Sequence, residues 1–164
     1  MIGSSLIQCH DIDKNIILRN LSELSFRPSI YGVIVENGKV LLAGFRDGWD
    51  FPGGGIHMGE TFDETLEREV REETGLSVKR DKLLHVANDF FVHGATQKAH
   101  HTILLFYTCK DISGNISSDG FTEYEKEHGV QAQWHPVANV EKLKFYNPVD
   151  SLALIRLAAA GMGI

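Results

Sequence analysis

The sequence predicts an α/β fold, a mixed β-sheet covered by helices. Three observations carry this. Two apolar, β-branched runs are split by Asn37-Gly38. The segment TFDETLEREVREETG, Thr61 to Gly75, repeats apolar residues at helical spacing. Further strand-like runs follow it, so strands stand on both sides of a helix in the chain. A chain of 164 residues, 43% hydrophobic and 23% charged, suits one domain with a real core.

Residues 1–25 show no single pattern and are expected to form an extension, strand or helix, packed on a domain spanning 26–164. SIYGVIVENGKVLLAGF, Ser29 to Phe45, is a β-hairpin, because Asn-Gly between apolar runs supplies the positive φ of a tight turn. In the Thr61–Gly75 helix, Phe62, Leu66 and Val70 form the apolar stripe, with Thr61 as cap and Gly75 as stop. LLHVANDFFV (Leu83 to Val92), HTILLFYTC (His101 to Cys109) and the shorter AQWHP (Ala132 to Pro136) are strands. Asp111 to His128 is polar, then Glu-rich, and is expected as a long surface loop. Helices are expected at Val137 to Leu143 and Pro148 to Ala160, the second opening on its proline.

Composition excludes several classes. Cys9 and Cys109 form neither a CxxC pair nor a disulfide framework, so free thiols and a reducing compartment are expected. The N-terminus lacks a basic, then apolar, leader, and no run approaches the roughly 18 apolar residues of a membrane span, so a cytoplasmic protein with no membrane partner is expected. A net charge of -6 argues against a broad nucleic-acid surface. A small phosphate-bearing ligand is compatible, provided that a few Arg or Lys residues or bound cations meet its charge.

The helix carries the chemistry. At about 100° per residue, with Phe62 at zero, Leu66 falls near 40° and Val70 near 80°, while Glu69 falls near -20° and Glu73 near 20°. Two acids therefore share the longitude of the core, and Glu64, Glu67 and Arg71 face solvent. Burying a carboxylate is costly unless it is paired or binds a metal, and two facing one way repel each other. A divalent cation removes both penalties. Glu72 lies at the stripe's edge, with Arg68 one turn back to pair with it. Oxygen ligands of this kind suit Mg or Mn, which bridge to substrate phosphates. Upstream, Gly53, Gly54 and Gly55 let the backbone approach a ligand closely, so that an amide or carbonyl can be aimed at a metal or phosphate.

Glycine run and acidic helix together resemble the Nudix hydrolases. The family's box, G-x5-E-x7-R-E-U-x-E-E-x-G-U with U aliphatic, is met at Gly54, Glu60, Arg68, Glu69, Val70, Glu72, Glu73, Gly75 and Leu76. Seven fixed identities give a chance match on the order of one in ten million. The resemblance spans roughly residues 29–145, and it implies an α/β/α sandwich and metal-dependent hydrolysis of a nucleoside diphosphate linked to another moiety. By position, Glu69, Glu72 and Glu73 would hold Mg or Mn with help from the Gly53 carbonyl, and Arg68 would orient a catalytic glutamate. The base would be Glu72 or a glutamate of the later loop, Glu123, Glu125 or Glu127, with Glu127 favoured for its distance ahead of Trp134.

Arg46 is a candidate for the substrate phosphates, with a plain surface arginine as the equal alternative. Trp49 and Phe51 suit stacking on a base or sugar, or the core beside a turn. Gly54 completes the substrate-binding set. His57, His100 and His101 match no closed zinc site. The proline that marks ADP-ribose hydrolases and the tyrosine that marks dinucleoside polyphosphate hydrolases after the box are both missing, the positions holding Phe91, Val92, His93 and Gly94. Elimination favours a nucleoside triphosphate split to monophosphate and pyrophosphate. A nucleotide sugar or other diphosphate is the runner-up, and a sensing domain that binds without hydrolysis the alternative class. The C-terminal run SLALIRLAAAGMGI suits its own sheet or a second copy in a homodimer.

Overall fold

The Asn37-Gly38 turn forms as its chemistry requires, with φ of 50° and 73° at the two residues. Around it, the computed structural model describes residues 5–121 and 123–163, apart from the side chains of 124, 125 and 128. In chain order the strands and helices are β1 (Leu6–His10), β2 (Ile16–Asn20), β3 (Leu24–Phe26), β4 (Ser29–Glu36), β5 (Lys39–Phe45), β6 (Gly48–Asp50), β7 (Gly53–Gly55), α1 (Phe62–Thr74), β8 (Leu76–Val92), β9 (Ala99–Gly114), α2 (Glu123–His128), β10 (Gly129–Pro136) and α3 (Ser151–Ala159). Short 3-10 turns occupy Leu21–Glu23 and Val137–Lys142.

The sheet runs β10-β5-β4-β9-β8-β1-β2, with β3 beside β9, β6 beside β5 and β7 beside β4. It is mixed: β4 runs parallel to β9, while β4–β5 and β8–β9 are antiparallel. Period-two alternation decides which face each residue buries. Val33, Val40, Leu42, Leu104 and Phe106 join one cluster with Val140, Leu154 and Ile155 of the C-terminal segment. Ile30, Ile34, Leu41 and Tyr107, one residue out of phase, join the other cluster with Leu66 and Val70 of α1. The two faces are thus covered by different helices. The C-terminal helix spends its apolar face on its own sheet, since Leu154 and Ile155 are buried there.

Several elements differ from expectation. Residues 5–26 are strands and a short turn, and β1 extends the sheet through His10 opposite Phe91. The expected loop at 111–128 contains the end of β9 and the helix α2. The helix expected from Val137 is a 3-10 turn ending at Lys142. The last helix begins at Ser151, because the Asp150 side chain caps it by accepting the Ala153 N–H, and Pro148 lies before it. Phe62 is exposed, and the buried positions of α1 are Thr65, Leu66, Val70 and Thr74. Both cysteines are free thiols. Among the described residues no helix is long and apolar enough to cross a membrane.

Candidate active site

Thr61 starts α1 with a reciprocal capping box to Glu64, and Gly75 ends it in the left-handed region at φ 78°. These two stops fix the helix phase, and with it the direction of the acids. Glu69 is 14% exposed at its side chain and Glu72 42%. The inward turn of Glu69 follows the wheel.

Arg68 is the hub. Its guanidinium grips Glu60 as a fork, Nε to Oε1 at 2.7 Å and Nη2 to Oε2 at 2.9 Å. Its Nη1 also reaches Glu69 at 2.8 Å and Glu72 at 3.3 Å. One cation therefore faces three carboxylates. The guanidinium holds the Glu60 carboxyl well below the usual carboxylate range, while burial pushes Glu69 up against the opposing pull of Arg68. Glu60 stands in the sequence motif but not in the ligand set read from it, and the structure makes it the main partner of Arg68.

The glycine run forms β7 and lies against this acidic face. Gly53 donates its N–H to Glu73 Oε2 at 3.0 Å. A Cβ at Gly54 would stand 2.8 Å from the Glu69 carboxyl, and one at Gly53 would strike the Ile30 carbonyl of β4. Glycine is needed there for close approach on both sides. Gly53, Gly54, Glu69 and Glu73 line a cavity of about 350 Å³. Arg27, exposed and lying over Gly55, lines it too. No sequence pattern singles out Arg27.

The other expected residues separate into two groups. Phe51 is buried in the core and also forms cavity wall. Phe121 and Gly129, on either side of α2, line the same cavity, whereas Glu127 of α2 and Glu72 are not among its lining residues. Glu123 pairs with Lys126 at 2.7 Å, and the side chain of Glu125 lies outside the described residues. Arg46 and Trp49 are not lining residues: Arg46 meets Asp13 at 3.4 Å on the surface, and Trp49 packs edge-on against His135. His57, His100 and His101 bond to Glu60, Ser25 and Asn88 respectively.

All-oxygen donors, one of them desolvated, suit a hard divalent cation. Among the described residues no three ligands already stand at metal-binding distance, and Arg68 supplies the opposing charge.

Asp50, absent from the sequence-derived set, also lines the cavity, and burial pushes its carboxyl up to about 6. The native state keeps this proton where the unfolded chain has lost it, so the stabilisation fades as pH rises from about 4 through 6. Asp50→Asn should therefore gain roughly 2 kcal/mol on the wild type between pH 4.5 and 7.5. Urea unfolding at the two pH values reads the difference, and parallel pH dependences would contradict it.

Comparison with known proteins agrees with this geometry. The family model described as NUDIX domain matches residues 26–155. An RNA pyrophosphohydrolase of Pseudoalteromonas atlantica is 31% identical over 139 residues, covering 73% of this chain and 77% of the relative. That of Teredinibacter turnerae is 29% identical over 136 residues, covering 73% and 78%. Among solved structures, the E. coli ORF135 protein superposes with TM-score 0.60 at 20% identity, covering 85% of this chain and 93% of that one. The MutT NUDIX hydrolase of Burkholderia pseudomallei gives 0.58 at 21% identity, covering 82% and 97%. These structural likenesses concern the fold. The fold and site define a hydrolase of diphosphate bonds. The chain belongs to the Nudix hydrolase family, which generally uses divalent metal ions.

Proposed function

We propose that the protein hydrolyses a nucleoside 5′-triphosphate to the monophosphate and pyrophosphate, with residues 26–164 as the catalytic domain and 1–25 as its extension. The observation that carries the reading is the cavity in which Glu69 and Glu73 face inward and Arg27 lies on the wall. It offers negative charge for a cation and positive charge for a phosphate in one space.

Glu69, Glu72 and Glu73, with the Gly53 carbonyl, would hold Mg or Mn, and the ion would neutralise charge on the phosphate oxygens and the leaving group. The chain supplies the rest. Arg68 keeps Glu60, Glu69 and Glu72 in register, and the Gly53 N–H fixes Glu73. Arg27 takes the phosphate-facing role, which is one of two equal readings of Arg46 in the sequence. Attack of water on one phosphorus of the anhydride between the α- and β-phosphates breaks its bridging P–O bond and gives the monophosphate and pyrophosphate, and the water's proton passes to a carboxylate, Glu127 of α2 or Glu72.

A second reading, removal of pyrophosphate from the 5′ end of RNA, is favoured by the names of the relatives. Pyrophosphate release from nucleoside triphosphates and from a 5′-triphosphorylated oligoribonucleotide, and nucleoside monophosphate release from a nucleotide sugar, each with Mg or EDTA, separate the readings. At least one triphosphate should turn over about a hundredfold faster than the oligonucleotide, and only with Mg. Preference for the oligonucleotide would install the second reading, and preference for the nucleotide sugar would overturn both.

A further inference from the structure

A second cavity, of about 140 Å³, opens off the first, and the two share Ile12, Arg27, Tyr31, Asp50 and Phe91 as walls. The cleft thus has an outer part beside the acids and an inner chamber. Tyr146 and Asn147 of the segment before α3 line that chamber, as do His10 at the end of β1 and Ile12 of the β1–β2 turn.

The turn is held in place. Asp11 Oδ1 accepts the N–H groups of Asp13 and Asn15, both at 2.9 Å. Lys14, in the left-handed region at φ 65°, aims its ammonium at the carbonyls of Tyr146 and Asn147, 2.6 and 3.1 Å away. On the other side His10 Nε2 meets Asp89 Oδ1 of β8 at 2.9 Å. One strand end and one charged anchor therefore clamp it across the sheet. The turn itself lies ahead of residues 26–155, the part matched by the family, while its anchors Asp89, Tyr146 and Asn147 lie within that part.

The chamber's chemistry is selective. Ser151 donates to Asn147 Oδ1 at 2.9 Å, so the amide is oriented with Nδ2 donating to Asp50 Oδ1 at 2.7 Å. The Phe51 N–H also bonds to that oxygen, at 2.8 Å. Asp50 Oδ2 has no partner among the described residues. Around it stand Ile12, Tyr31 and Phe91, apolar or aromatic. Such a space favours a flat ring that brings an N–H to Asp50, with Arg27 on the wall shared with the outer cavity.

We propose that the β1–β2 turn is a specificity element: it closes an inner chamber that takes the nucleotide's base, with a base N–H bonded to Asp50 Oδ2. The proposal rests on the nucleotide reading above, with the phosphates in the outer cavity.

Equilibrium binding of the four nucleoside 5′-monophosphates and of ribose 5-phosphate, to the wild type and to Ile12→Trp, tests it. The wild type should bind at least one monophosphate about tenfold or more tighter than ribose 5-phosphate. Ile12→Trp, which fills the chamber, should bring that ratio to about one, and the ratio is the readout because Ile12 is also a wall of the outer cavity. Lys14→Met, an exposed change that releases the anchor, should lower the ratio in the same direction should the tryptophan variant misfold. Equal wild-type affinity for all five ligands, or an unchanged ratio in the folded variants, would overturn the proposal. Absence of hydrolysis with the binding ratio as expected would count against the hydrolytic reading alone.

Discussion

Glu73→Gln is expected to lower turnover at least about a hundredfold while the protein melts at the same temperature or higher. Glu73 accepts the Gly53 N–H through Oε2, and the amide oxygen of glutamine can accept the same bond. What the substitution removes is one negative charge beside Glu69, with which it shares the cavity wall. Less charge repulsion favours the metal-free fold, whereas a weaker cation site slows the reaction. The rate of pyrophosphate release at saturating Mg, read beside the melting temperature, checks both halves. A near-normal rate would remove Glu73 from the mechanism. Glu72→Gln is expected to act in the same direction on rate, with less effect on folding because its side chain is 42% exposed.

The second large effect falls on Arg68. Arg68→Ala leaves Glu60, Glu69 and Glu72 facing one another without the guanidinium that touches all three, and a desolvated carboxylate without its partner is costly. Discounted for partial exposure, the expected loss is roughly 2–3 kcal/mol, or about 5–10 °C in melting temperature. Mn should restore part of that loss, because a dication bound by the same acids supplies the missing charge. Arg68→Lys should recover little, since an ammonium cannot make the two-pronged contact with Glu60. Thermal melts with and without Mn give the result. An unchanged melting temperature, or a loss that Mn does not touch, would contradict the role assigned to Arg68.

The sequence made the central helix legible because its signals are local. Thr61 with Glu64, and Gly75, act within a turn of the backbone they terminate. The facing of the acids then follows from helical geometry alone. Phe62 misled because apolarity stood in for burial. The buried positions include Thr65 and Thr74, whose hydroxyls bond to the carbonyls of Thr61 and Val70 at 3.0 and 2.6 Å and so enter the core satisfied. A stripe counted on hydrophobic residues passes over them.

Long-range features were not legible. The β1–β2 turn has no glycine, and its left-handed residue is Lys14, held by carbonyls that lie far along the chain. The outer parts of β8 and β9 carry charges such as Lys79 and Lys110 outside the apolar runs that the sequence marks as strands, yet these two stand opposite each other in a bulged ladder. Arg27 and Asp50 reach the cavity through pairings in the sheet, since β7 pairs with β4, which Arg27 precedes, and β6, which ends at Asp50, pairs with β5. Within the site, Glu60 was visible as a motif residue, but its fork with Arg68 depends on how the chain enters α1.

Manganese binding followed by electron paramagnetic resonance tests the central claim most directly, because it counts bound ion without needing a substrate. The wild type should hold Mn at a site that Mg competes for, and the Glu69→Gln/Glu73→Gln double variant should bind it at least about tenfold more weakly while remaining folded. Equal Mn affinity in the two folded proteins would mean that the inward-facing acids of α1 do not hold the ion.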